Sequence, residues 1–223
     1  MRKSSTTQRR KQLVSIMVVG ILILVLAVAG IGIHIISKYI PSKEQMNLTE
    51  YYGQPAEGEM VLVLGTDIME ERALKSGDQI YLPQDIVSTY LNQRYYWDSG
   101  NQQILYATPS SLEKFPASEA GDGEVWVRDG KVYLSLSFVQ KYTDLDFYEY
   151  QEPARVVIRH EFTGVNVATV KKDTSIRYRG GIKSPVLTEV KKGDTLIYMQ
   201  ALEDWVQVST MDGYIGYVQK KVL

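Results

Sequence analysis

Two histidines and no cysteine bound the chemistry open to this chain. Without a thiol there is no cysteine nucleophile, no thiolate zinc site and no disulfide framework. His34 lies inside a long apolar run, which leaves His160, flanked by Arg159 and Glu161. One imidazole assembles neither a convincing Ser-His-Asp arrangement nor a multi-histidine metal site. Two carboxylate pairs remain, Glu70-Glu71 and Asp144-Leu145-Asp146. Paired carboxylates can hydrolyse glycosides, but both pairs sit among ordinary solvated residues. Gly121-Asp122-Gly123 and Gly180-Gly181 precede no Lys-Ser/Thr and open no helix, so they read as turns. No catalytic residue, metal ligand or cofactor is expected. Aromatic side chains are the better candidates: Tyr178, Trp205, Tyr214 and Tyr217 could line a binding groove. The plainer alternative has Trp205 and Tyr217 packing a core, with Tyr178 and Tyr214 scattered over the surface.

The elements that would position these residues begin with a membrane segment. Residues 13–36 carry no charge, and Ser15 and His34 are the only polar side chains among them. As a helix this run would reach roughly 36 Å, against about 30 Å of bilayer hydrocarbon. Arg2, Lys3, Arg9, Arg10 and Lys11 precede it without an acidic residue, which keeps the N-terminus inside. The expectation is a cytoplasmic basic tail (1–12), a single transmembrane helix (13–36) and a type II protein with most of the chain outside. A cleaved signal peptide is the rival, with Ala27-Val28-Ala29 as a small-x-small site. The apolar run continues past that site through Ile31, Ile33, Ile35 and Ile36, where a polar mature N-terminus should begin.

Composition divides the remainder. Sixteen Tyr against four Phe favour half-buried strands. Residues 60–160 hold nine Lys/Arg against fifteen Asp/Glu, and residues 161–223 hold nine against seven. An acidic middle and a mildly basic end suggest two domains. No stretch has the dense basic patch that nucleic acid requires. Residues 37–59, with Pro41, Gly53, Pro55 and Gly58, read as a linker.

The middle domain contains an internal duplication. Residues 78–108 lie without gaps over 130–160: Ile80-Tyr81-Leu82 meets Val132-Tyr133-Leu134, and Val87 and Tyr90 meet Val139 and Tyr142. Tyr95-Tyr96 meets Phe147-Tyr148, and Ile104-Leu105-Tyr106 meets Val156-Val157-Ile158. Each copy reads as strand, short helix and hairpin, giving a tandem β-α-β-β repeat whose helices each cover a small antiparallel sheet. The segment Tyr81-Leu82-Pro83, then Val87, Tyr90-Leu91 and Tyr96-Trp97-Asp98, resembles the copper amine oxidase N-terminal-like domain over residues 60–160. In that family the domain is an accessory module without the copper, so the resemblance implies structure or recognition.

From residue 167 the rhythm changes to short strands between turns, at 167–170, 175–178, 194–199, 205–209 and 214–218, suggesting a small closed barrel. Lys192-Gly193-Asp194-Thr195-Leu196, Asp204-Trp205-Val206-Gln207-Val208 and Asp212-Gly213-Tyr214-Ile215-Gly216-Tyr217-Val218 resemble the bacterial SH3 domain over residues 164–223. That resemblance implies binding of cell-wall peptides or positioning of an attached enzyme. The order of modules is similar to the front end of membrane-anchored family-18 glycosidases of Gram-positive bacteria. The fold class read from the sequence is therefore α+β and all-β: a transmembrane helix, a tandem repeat domain and an SH3-like barrel. The expected role is non-catalytic binding or scaffolding at the cell wall, with the membrane and a wall polymer or peptide as partners. The alternative is the targeting part of a glycoside hydrolase. The sequence leaves the oligomeric state open.

Overall fold

The computed structural model describes residues 17–26, 36–160 and 165–223. The chain divides into two compact units, Met1–Lys43 and Glu44–Leu223. In the first, residues 17–26 are helical. Among the described residues no helix is long and apolar enough to cross a membrane. This corrects the expected transmembrane helix, and with it the membrane partner and the type II placement derived from it. The tail, the Ala27-Val28-Ala29 site and the rest of 13–36 lie outside the described residues.

The second unit corrects the expected fold class as well, because it is mostly β and built on three sheets. Its elements are α1 (Leu48–Tyr52), β1 (Glu59–Leu64), β2 (Asp67–Ser76), β3 (Gln79–Pro83) and α2 (Gln84–Ile86), which continues as a π-helical turn over Val87–Leu91. Then come β4 (Tyr95–Asp98), β5 (Gln103–Ala107), β6 (Leu112–Pro116), β7 (Val125–Arg128), β8 (Lys131–Ser135), α3 (Leu136–Gln140), β9 (Leu145–Gln151) and β10 (Ala154–His160). The C-terminal strands are β11 (Val167–Thr169), β12 (Thr174–Arg177), β13 (Val186–Val190), β14 (Thr195–Ala201), β15 (Trp205–Ser209) and β16 (Ile215–Gln219).

The order β7-β8-β3-β2-β1-β10-β9 makes a seven-stranded sheet in which β1 and β10 run parallel and the other neighbours antiparallel. β4, β5 and β6 form a separate three-stranded sheet. The two short helical segments of the repeat, Gln84–Leu91 and Leu136–Gln140, pack into the core that these two sheets share and are too short to cover a sheet alone. Val87, Leu91, Phe138 and Val139 from the helical turns pack with Leu62, Leu82, Leu134, Val156 and Ile158 of the large sheet. Tyr95, Ile104 and Tyr106 close the same core from the small sheet.

The offset that sets Asp78 on Gly130 is present in the strand registers. In β4–β5, Tyr95 faces Tyr106 and Trp97 faces Ile104; in β9–β10, their counterparts Phe147 and Glu149 face Ile158 and Val156. Val87 and Val139 are both fully buried on their helical turns. The two first strands, β3 and β8, pair with each other antiparallel, so the copies are related by a local two-fold running between them. The symmetry ends at the hairpins: β9–β10 joins the large sheet through β1, while β4–β5 takes β6 as its neighbour. In place of a helix over each small sheet, one large sheet is shared by both copies.

The C-terminal strands form a six-stranded antiparallel sheet, β11-β14-β15-β16-β12-β13. Its ladder leaves β11 and β13 at the ends, in contrast to the closed barrel expected. The β13 end is met by the chain's own residues 44–46: Met46 N–H donates to Val186 O, and Val186 N–H donates to Glu44 O, both at 2.7 Å. Thus the stretch read as a linker is structured from Glu44 onward. The Asn47 side chain caps α1 by accepting from Thr49 N–H at 2.9 Å and Glu50 N–H at 3.3 Å.

Candidate recognition site

The four aromatic candidates do not share one groove. Along β15, Val206 and Val208 point into the sheet's core, which leaves Trp205 and Gln207 on the outer face. Trp205 pairs with Gln219 and Gln207 with Tyr217, so Trp205 and Tyr217 are near neighbours on that outer face, both half-buried. Gly180 lies against the indole: a Cβ there would stand 3.3 Å from Trp205 Cγ. Main-chain bonds from Leu202 N–H to Trp205 O (2.8 Å) and Lys220 N–H to Asp204 O (2.9 Å) fix the ends of the strands around it.

An open cleft of about 670 Å³ results, lined by Ile182, Glu203, Asp204, Trp205, Gln219, Lys220 and Lys221. It presents one aromatic face between two carboxylates and two ammonium groups. The salt bridges among the described residues lie elsewhere, so these four charges are not spent on one another. Such a lining suits a polar chain with both positive and negative groups, stacked on the indole and oriented by the charges.

Tyr214 belongs to a different place, the joint between the seven-stranded and six-stranded sheets. The turn 210–214 between β15 and β16 enters a socket made by α1 and β10. Arg155 is 3 % exposed. Its guanidinium lies 4.4 Å, 5.1 Å and 5.4 Å from the ring centres of Tyr150, Tyr214 and Tyr52. Its Nε donates to Asp212 O at 3.1 Å. Arg159 donates to Thr210 O at 2.8 Å and to Met211 O at 3.0 Å. Tyr52 Oη donates to Gly213 O at 2.9 Å, and Tyr51 Oη both donates to Ile215 O and accepts from Ile215 N–H at 2.8 Å. Burial pushes the Tyr51 phenol up to about 12, against a smaller lowering by its bond to Ile215. Burial raises Tyr52 further, although Arg155 pulls the other way. The joint is therefore held by uncharged phenols and arginines stacked and bonded to main chain. Tyr178 borders it, with its ring 6.0 Å from that of Tyr51 and the Arg179 guanidinium 5.3 Å from its centre.

Not all of the basic C-terminal end is displayed at the surface, because Arg177 is buried and donates to Ser184 O at 2.7 Å. Asp144, Asp146 and His160 line an open cleft of about 630 Å³ with Asn92 and Arg94. His160 Nδ1 lies 2.8 Å from Asp144 O; a carbonyl only accepts, so Nδ1 carries the hydrogen. Among the described residues no group of three or more His, Cys, Asp or Glu could hold a metal ion.

Reading the sequence missed the whole joint. Neither Arg155 nor Arg159 stands out in the sequence as a site residue, yet with Val157 between them they fall on one face of β10. No family model matches the chain, and no curated protein and no solved structure matches it.

Proposed function

We propose that this is a non-catalytic recognition protein whose C-terminal sheet binds a cell-wall peptide or polymer at the Trp205 cleft. The observation that carries this reading is the half-buried indole of Trp205 set between Glu203, Asp204, Lys220 and Lys221 in an open cleft. The resemblance of residues 164–223 to the bacterial SH3 domain supports a wall peptide as the ligand. Stacking on the indole supplies contact area at low conformational cost, and the flanking charges select orientation. The repeat domain acts as the platform, holding the cleft through the joint at Arg155.

The test is co-sedimentation of the whole chain with purified cell-wall sacculi. Binding at low salt that is lost in Trp205→Ala, with the thermal unfolding transition retained, supports the reading. Because the indole is half-buried against Gly180, the retained transition is what separates lost binding from lost fold. Absence of co-sedimentation at low salt, or binding unchanged in Trp205→Ala, overturns it.

A further inference from the structure

The local two-fold between the repeats is broken at one surface, and the break leaves a groove. On the first copy, Tyr81 lies beneath the chain's own residues 118–124. Its hydroxyl donates to Gly123 O at 2.8 Å, Ser135 N–H donates to Glu124 O at 2.9 Å, and Gly121 lies against the Trp126 ring. The counterpart of Tyr81 is Tyr133, which sits between Trp126 and Pro83 as Tyr81 sits between Leu74 and Ser135. Over Tyr133 the equivalent chain, residues 66–72, is drawn away to pair with β1 (Val63 with Ile68, Val61 with Arg72). Pro83 also stands where Ser135 has its N–H, so the tethering hydrogen bond has no donor. Among the described residues no hydrogen bond engages the Tyr133 hydroxyl.

What remains over Tyr133 is a cleft of about 390 Å³. Its lining includes apolar Leu74, Pro83 and Tyr133. The ladder between β2 and β3 stops at Leu74–Tyr81, so on that side Glu70, Glu71 and Arg72 border the cleft with no paired strand, although Arg72 still pairs with Val61 of β1 on the other. The β1 ladder skips 69–71, a bulge that leaves Glu70 and Glu71 exposed. With Glu59 and Asp85 they give four carboxylates against Arg72 and Lys131.

We propose that this cleft docks an extended, lysine- or arginine-bearing peptide segment of a partner protein. The segment lies along the free edge of β2, with a main-chain carbonyl accepting from the Tyr133 hydroxyl as Gly123 does from Tyr81. An unpaired strand edge supplies main-chain partners to an added strand. The excess of carboxylates favours a cationic occupant over an acidic one. The molecule itself shows the mode of filling, since its own chain occupies the matching position on the other copy.

The experiment uses the whole chain and two short fluorescent acetylated peptides, one alternating lysine with valine and one alternating glutamate with valine. The lysine peptide should bind saturably and weaken with salt, and the glutamate peptide should not bind. The exposed pair Glu70→Gln/Glu71→Gln should weaken binding about tenfold or more, and Tyr133→Phe severalfold. Amide exchange should slow within residues 69–72. The proposal is overturned by absence of saturable binding at low salt, or by unchanged affinity in the Glu70→Gln/Glu71→Gln variant. It is equally overturned by slowed exchange at residues 203–221 instead, or by self-association of the chain that responds to the same variants and so makes a second copy the occupant. Because Trp205→Ala leaves this groove intact, loss of wall binding and loss of peptide binding are separable results.

Discussion

Leu82 and Leu134 face each other across the β3–β8 ladder, and each is the other's counterpart in the repeat. Both are completely buried. The local two-fold passes between them, so this pair is where the two copies form one core. Tyr81 and Tyr133 flank it on the opposite face, with Leu74 and Trp126 completing a small aromatic cluster of the same symmetry.

Truncating that pair should expose the dependence of the two copies on each other. Leu82→Ala and Leu134→Ala should each cost about 2–5 kcal/mol, the range for emptying a closed core site. The double variant should depart from the sum by about 0.5 kcal/mol or more, because the two side chains line one space. Urea unfolding of the four proteins measures it. Strict additivity would mean that the two copies pack as independent units.

Alkali should loosen the joint. A phenol whose folded pKa is raised keeps its proton better in the native state than in the unfolded chain. Its contribution is complete below the ordinary value of 10.0 and is lost as pH rises towards about 12, where Tyr51 ionises in the fold. The loss is up to about 1.4 kcal/mol per pH unit for each such phenol. Tyr51→Phe/Tyr52→Phe should start less stable at pH 9, having lost its hydrogen bonds, but should fall less steeply by pH 11. Equal slopes for the two proteins would remove the phenols from this account.

Two turn glycines separate backbone strain from docking. Gly193 and Gly213 both have positive φ, +98° and +88°. A Cβ at Gly193 meets nothing within 4 Å, whereas one at Gly213 would stand 2.9 Å from Val157 Cγ2 in the joint. Gly193→Ala should therefore cost about 1–2 kcal/mol for the left-handed backbone alone. Gly213→Ala should cost about 1–3 kcal/mol more, from overpacking against β10. Thermal melts of the two variants decide the matter, and equal costs would place the turn outside the socket.

How much of this was legible depends on which residues one considers. The repeat was readable because Tyr81-Leu82 and Tyr133-Leu134 keep the same strand phase, and a shift of one residue would turn the core to solvent. The strands around Trp205 and Tyr217 were readable from alternation and their glycine turns. β2 was not, because Glu70, Glu71, Arg72 and Ala73 are good helix formers, and the stretch is held extended by its flanks, Asp67–Ile68 and Arg72–Leu74 pairing with β1 and Leu74–Ser76 with β3. β6 was hidden within a polar loop, since Leu112, Lys114 and Pro116 face outward and only Phe115 and Glu113 turn in. Tyr214 was taken for a surface aromatic because its burial comes from Tyr52 and Arg155, residues far away in the chain. The division of the four aromatics between cleft and joint is a tertiary fact that local spacing does not encode.

The tyrosines of α1 also set a schedule for the chain. Tyr51 bonds to Ile215 across 164 positions and Tyr52 to Gly213 across 161, so the start of this unit is completed by its end. Contacts of such separation form late, because the loop they close is costly in entropy before any contact repays it. On a ribosome the strands up to β10 emerge first, and α1 and the apolar face at Val61, Val63 and Val157 stay uncovered until the C-terminal strands follow. That interval is when the nascent protein is most open to aggregation, and it ends when the turn at Gly213 closes over the two phenols.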